Sequence, residues 1–150
     1  MFRTLAILGA TTLALPVFAG SHAASGDAAL GQKAFRQCAS CHVVQNDAGE
    51  VLAGKAAKTG PNLYGIAGRQ FGMVEGYRYS DINQLAASME ELVVNEEVFA
   101  AFVQDPTGYL REATGDKGRS KMSFKVRKEE DAANIFAFIK SLSPEPEASN

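Results

Sequence analysis

The chain has 150 residues, 46% hydrophobic and 21% charged, a balance that fits one globular domain and excludes a disordered or fibrous polypeptide. Its formal charge is −2, and becomes −3 if Arg3 is removed with a leader, which argues against nucleic acid as a partner.

Arg3 is followed by an apolar run from Leu5 to Phe18 and then by small residues, the pattern of a secretory leader. Ser21-His22-Ala23 puts small residues at the two positions a signal peptidase reads, so cleavage is expected after Ala23, with Val17-Phe18-Ala19 as second candidate. The alternative is a retained anchor, but the run is shorter than the roughly 20 residues that span a bilayer. Residues 1–23 are thus expected to be a cleaved signal peptide and residues 24–150 a single mature domain.

Asp27 is positioned as an N-cap, and Leu30, Ala34 and Cys38 recur at helical spacing, which predicts a first helix to about Gln37. Ala39 to His42 form its last turn or follow it. From Val43 to Gly76 eight residues are Gly or Pro in the pattern Gly49, Gly54, Gly60-Pro61, Gly65, Gly68, Gly72, Gly76, and no long periodic stretch intervenes, so this reads as loop with short turns. Helical pattern returns from Ser80 to about Met89 and from Asn95 to Gln104, where Val98, Phe99, Phe102 and Val103 make an apolar stripe that Pro106 ends. A charged, Gly-containing loop through Lys121 follows. A last helix runs from Lys128 to Leu142 with Ala132, Ile135, Phe136 and Ile139 on one side, and Ser143 to Asn150 reads as a frayed end.

No strand-like alternation is long enough to build a sheet, so the expected fold class is all-α, with three to five helices. Such a loop-rich chain buries little apolar area, and long loops without a functional reason are uncommon. Something other than side chains is required to fill its middle.

Cys38-Ala39-Ser40-Cys41-His42 supplies a candidate, because it matches the C-x-x-C-H pattern for covalent haem attachment. Cysteines three apart lie on one side of a helical turn and reach the two vinyl groups of one porphyrin, while the next residue offers an imidazole to the iron. A disulfide or thioredoxin-like pair would follow a strand, and structural zinc needs four ligands, yet His42 is the only histidine outside the leader. A ligating histidine usually gives its second N–H to a carbonyl, and Thr59-Gly60-Pro61 is a candidate source. Pro61 reads equally well as a simple loop corner.

Three motifs in order, Cys38-Ala39-Ser40-Cys41-His42, Thr59-Gly60-Pro61-Asn62-Leu63-Tyr64-Gly65 and Lys121-Met122-Ser123-Phe124, resemble the haem, proline-loop and methionine-loop motifs of class I cytochromes c. The extra residues Val43 to Lys58, the Gly115-Asp116-Lys117-Gly118 insertion, and the contexts of Tyr64 and Asp105-Pro106 resemble bacterial cytochrome c2 most. The resemblance covers essentially the whole mature chain. It implies the class I cytochrome c fold, wrapped around one covalent haem c. It also implies Cys38 and Cys41 as attachment points, His42 as proximal iron ligand, Pro61 as the carbonyl acceptor from it, and Met122 as the other axial ligand. Gly31 and Phe35 resemble the first-helix positions that pack on the last helix, near Ile135 and Phe138. Arg69 and Tyr79 fall where the family bonds a haem propionate, and Tyr109 where it has an aromatic residue beside the haem. One departure is that the family commonly has a propionate-binding Trp, whereas this chain has none and offers about Val94 there.

Met89 lies in a helical pattern and Met73 in a Gly-rich loop, and neither has the Lys-Met-x-Phe context of Met122. A thioether favours ferrous iron, and two protein ligands leave no position for a substrate, which together describe an electron carrier rather than an enzyme. The competing readings are a peroxidase-like haem protein, which has no distal histidine here, and a gas sensor of the cytochrome c-prime kind, in which the haem motif lies near the C-terminus. Residues 111–128 carry Arg111, Lys117, Arg119, Lys121, Lys125, Arg127 and Lys128 against Glu112 and Asp116. Of the bases, Lys117, Lys121, Lys125 and Arg127, with Lys33 and Lys58, are expected to border the haem edge and steer docking to acidic partners, an attraction that salt weakens. The resemblance implies a periplasmic monomer whose electron donor is a membrane quinol:cytochrome c reductase and whose acceptor is a photosynthetic reaction centre or a terminal oxidase.

Overall fold

A computed structural model describes residues 24–55 and 59–143. The expected leader, Lys58 and the tail beyond Ser143 lie outside the described residues. Among the described residues five α-helices carry the fold: α1 (Ala28–Ala34), α2 (Asp81–Ala87), α3 (Glu96–Gln104), α4 (Pro106–Thr114) and α5 (Glu129–Ser141). Among the described residues no helix is long and apolar enough to cross a membrane.

α1 begins where expected, because the Asp27 carboxylate accepts the otherwise unpaired N–H groups of Ala29 (2.7 Å) and Leu30 (2.9 Å). A single 3₁₀ turn, Phe35–Gln37, continues it toward the cysteines. The Asp27 N–H donates to the side-chain oxygen of Asn134 at 2.7 Å, tying the start of α1 to α5. The two helices cross at Gly31, where a Cβ would overlap the Asn134 carbonyl and lie 2.8 Å from the Phe138 Cβ. Phe35 packs on Phe138 with ring centroids 5.5 Å apart, and α3 adds Phe99 against Phe136 at 5.4 Å. α5 is therefore the central element. Its first turn carries Glu129, Glu130 and Asp131, which suits the positive end of the helix dipole, and Ile135 and Ile139 are fully buried.

Two expectations require correction. Pro106 does end α3, but it also opens α4, where a charged loop was expected. Proline suits a first helical position because the N–H it lacks would have had no intrahelical partner. Asp105 serves both helices: its N–H bonds to Ala101 O, and its carboxylate accepts from Gly108 N. α4 stops at Gly115, whose φ of +71° is the left-handed conformation that glycine adopts without strain. The stretch after His42 likewise contains a small antiparallel hairpin, β1 (Val43–Gln45) and β2 (Val51–Gly54), with Val43 opposite Gly54 and a bulge between Val44 and Gln45. Its strands are too short to display an alternating pattern, which is why the sequence reads as loop.

Residues 116–128 form no helix or strand. Buried Val126 anchors them through its N–H to Val103 O at 2.8 Å, and Lys125 pairs with Asp105 at 2.8 Å.

Candidate functional site

A cleft of about 260 Å³ lies in the middle of the molecule, its walls largely apolar. Ile66, Phe71, Phe99, Val103 and Ile135 belong to the hydrophobic core and also face this space. The end of α1 delivers Cys38, Cys41 and His42 to it on consecutive turns, with the Cys41 and His42 N–H groups bonding back to Cys38 O at 3.0 and 2.9 Å. Both cysteines are free thiols; burial, and secondarily the neighbouring Cys41, push the Cys38 thiol up to about 11.

The imidazole of His42 is oriented by its backbone partner. Nδ1 donates to the Pro61 carbonyl at 2.9 Å, and since a carbonyl only accepts, the proton resides on Nδ1 and Nε2 keeps its lone pair. Burial holds the imidazole pKa below the ordinary histidine range, while the bond to Pro61 opposes that shift, so the ring is neutral and ready to ligate. Gly60 makes the close stacking possible: a Cβ there would stand 2.6 Å from Nδ1 and 2.8 Å from Nε2. Its N–H donates to Cys41 O at 2.8 Å, so the proline loop is hinged on the haem motif.

Met122 lines the cleft, whereas Met73 is 58% exposed and Met89 packs against the core elsewhere. Arg69 and Tyr79 also line it, and the Tyr79 hydroxyl accepts from Val74 N at 3.4 Å. Tyr109 does not. It stands one layer behind, 6.4 Å from Phe71 and 6.2 Å from Phe102, the two rings that face the cleft in front of it. Val94 is a buried part of the wall.

Several lining residues escape sequence reasoning. Asn83, 5% exposed on α2, accepts from Ser80 Oγ at 2.7 Å, and Gln70 donates to the Met89 carbonyl. Tyr77 faces the cleft as well. The only available signal is a polar residue where helical periodicity calls for an apolar one, as at Asn83. Of the bases expected at the haem edge, Lys121 lines the cleft, Lys33 is in the last turn of α1, and Lys117, Lys125 and Arg127 are exposed.

Among the described residues no group of three or more His, Cys, Asp and Glu side chains is placed to hold a metal ion by itself. The donor set fits a porphyrin instead: two thiols on one turn, one imidazole with a free Nε2, one thioether, and an apolar enclosure. A helical shell with such a cleft defines a c-type cytochrome. The family model for cytochrome c matches residues 28–143, and the chain belongs to that family. Within it, the chain is most like the cytochromes c2. It is 58% identical to cytochrome c2 of Rhodovulum adriaticum over 119 residues, 79% of this chain and 94% of that protein. It is 45% identical to cytochrome c2 of Cereibacter sphaeroides over 125 residues, 83% and 86% of the two chains. The crystal structure of cytochrome c2 from Rhodobacter sphaeroides superimposes with a TM-score of 0.77 at 45% identity, covering 81% of this chain and 100% of that one. Ferric cytochrome c-550 of Paracoccus versutus gives 0.73 at 40% identity, with 80% and 100% covered. The protein is accordingly an electron carrier with one covalently attached haem c, not an enzyme.

Proposed function

We propose that this chain is a soluble periplasmic carrier whose haem iron is held by His42 and Met122, and that it takes electrons from a membrane quinol:cytochrome c reductase and delivers them to a photosynthetic reaction centre or a terminal oxidase. The observation that carries the reading is that Met122, alone of Met73, Met89 and Met122, lines the cleft that also receives the oriented imidazole of His42. The haem, when bound, supplies a one-electron ferric/ferrous couple. Cys38 and Cys41 tether it through thioether bonds. His42 offers Nε2 and is kept from rotating by Pro61 and Gly60. Met122 offers a soft thioether that favours the ferrous state. Arg69 and Tyr79 are the polar side chains assigned to the propionates, and Phe71 and Phe102 keep water away with Tyr109 as backing.

Residues 1–23 are assigned as the leader that exports the chain, with cleavage after Ala23. Lys33, Lys58, Lys117, Lys121, Lys125 and Arg127 are assigned to docking on acidic partners, with the chain acting as a monomer. The ligand assignment is tested by the ferric absorption spectrum: a far-red methionine–iron charge-transfer band is expected in the wild type and absent from Met122→Ala. An unchanged band in that variant refutes it. Oxidation of the ferrous protein by isolated reaction centres and by isolated oxidase identifies the acceptor.

A further inference from the structure

Met122 packs against the core from a segment with few hydrogen bonds of its own. The segment around it has no regular structure; its N–H donates to Ser120 Oγ at 3.1 Å, and the Ser120 N–H in turn donates to Thr107 Oγ1 at 3.2 Å, a tie to α4 on the side away from the proline loop. The nearest long-range backbone tie downstream is at Val126. On the side that faces the proline loop, the segment is joined through Lys121. Its ammonium donates to the Arg78 carbonyl and sits 5.9 Å from the centroid of the Tyr77 ring. Tyr77 in turn donates its phenolic O–H to the Thr59 carbonyl at 2.9 Å, and packs edge-on against Tyr79 with centroids 4.8 Å apart. Thr59 immediately precedes Gly60-Pro61, the pair that seats His42. One half-buried side chain thus touches both the segment that orients the histidine and the segment that carries the methionine.

We propose that Tyr77 is a positioning residue: by bridging the Thr59 carbonyl and Lys121 it clamps the methionine segment to the proline loop and limits how often Met122 leaves the iron. The inference rests on Met122 being the sixth ligand. A neutral thioether is a weak ligand, so the occupancy of the closed state depends on how firmly the protein holds the segment. A hydrogen bond and a cation over an aromatic face each shift such an equilibrium severalfold. Any competing ligand binds in proportion to the open fraction, so loosening the clamp tightens its apparent affinity by the same factor.

The test is a titration of the ferric holoprotein with imidazole, which reaches the iron only when Met122 has left. Loss of the methionine–iron band reports the exchange. Tyr77→Leu, which removes both contacts, is expected to bind imidazole about tenfold more tightly than wild type, and Tyr77→Phe, which keeps the ring under Lys121, about threefold. Lys55→Gln, an exposed charge change outside the clamp, leaves the affinity unchanged. Because Tyr77 and Lys121 share one contact, Tyr77→Leu combined with Lys121→Gln gains less than the product of the single changes. Wild-type imidazole affinity in Tyr77→Leu overturns the proposal, even if its thermal midpoint falls, since that pattern is packing alone. If Tyr77→Leu does not fold, the Tyr77→Phe titration decides by the same criterion. A methionine–iron band that survives Met122→Ala is seen before any imidazole is added, and removes the ligand assignment rather than the clamp alone.

Discussion

At the residue scale, the orientation of His42 depends on a neighbour that makes no bond to it. Gly60 leaves room for the imidazole to lie against the backbone, so Gly60→Ala forces either the ring or the loop to move. The expected cost is about 1–3 kcal/mol of holoprotein stability, read from a denaturant titration, with a raised reduction potential as the His42–Pro61 bond loosens, because a less basic imidazole favours ferric iron less. Asp105 offers a pH test. Hydrogen bonding from Lys125, then from the Gly108 N–H, holds its carboxyl below the ordinary carboxylate value. A depressed carboxyl stabilises the fold above the unfolded value, and the contribution is lost as pH falls through the folded one. Asp105→Asn keeps a competent helix cap but loses the ion pair with Lys125, so its thermal midpoint should fall below wild type at neutral pH and the difference should vanish in strong acid. The site's chemistry was legible here where residues are contiguous, at Cys38, Cys41 and His42. Asn83 and Gln70 were not, because their polar groups meet partners that only the folded chain brings near.

At the scale of elements, α1 and α5 lie at opposite ends of the sequence yet meet at one glycine. Gly31→Ala places a methyl group on the Asn134 carbonyl, and the helix-favouring effect of alanine is outweighed by the overlap. A loss of about 1–3 kcal/mol is expected from thermal or denaturant unfolding, with the haem spectrum retained below the transition. The helices α1, α2, α3 and α5 were readable from their helical patterning, with a cap residue to mark the start of α1 at Asp27 and, in α5, which has no side-chain cap, the apolar stripe alone. α4 was not, since Pro106 serves as a stop for one helix and a start for the next, and its apolar face is thin, with Leu110 the buried residue beyond Pro106. The hairpin at Val43–Gly54 escaped because strand pairing is a relation between segments, invisible within either one.

At the scale of the molecule, the cleft and the core share their walls: Ile66, Phe71, Phe99, Val103 and Ile135 belong to both. Removing the tethers should therefore remove the fold. A Cys38→Ser, Cys41→Ser double variant is expected to be largely unfolded at ambient temperature, with far-UV circular dichroism well below that of the holoprotein, because the remaining side chains cannot close around the space. A compact, fully helical apoprotein contradicts this.

By itself, the order of the haem, proline and methionine motifs determined the class of protein, the cofactor and the main helices, because covalent attachment and helix formation are encoded over a few adjacent residues. Only the tertiary structure decided that Met122 faces the cleft while Met73 and Met89 do not, that Tyr109 stands behind the wall, and that Tyr77 reaches both the segment before Pro61 and the segment that carries Met122. Those outcomes depend on packing between stretches as far apart as His42 and Met122, and a local pattern of residues does not record which distant stretch it will meet.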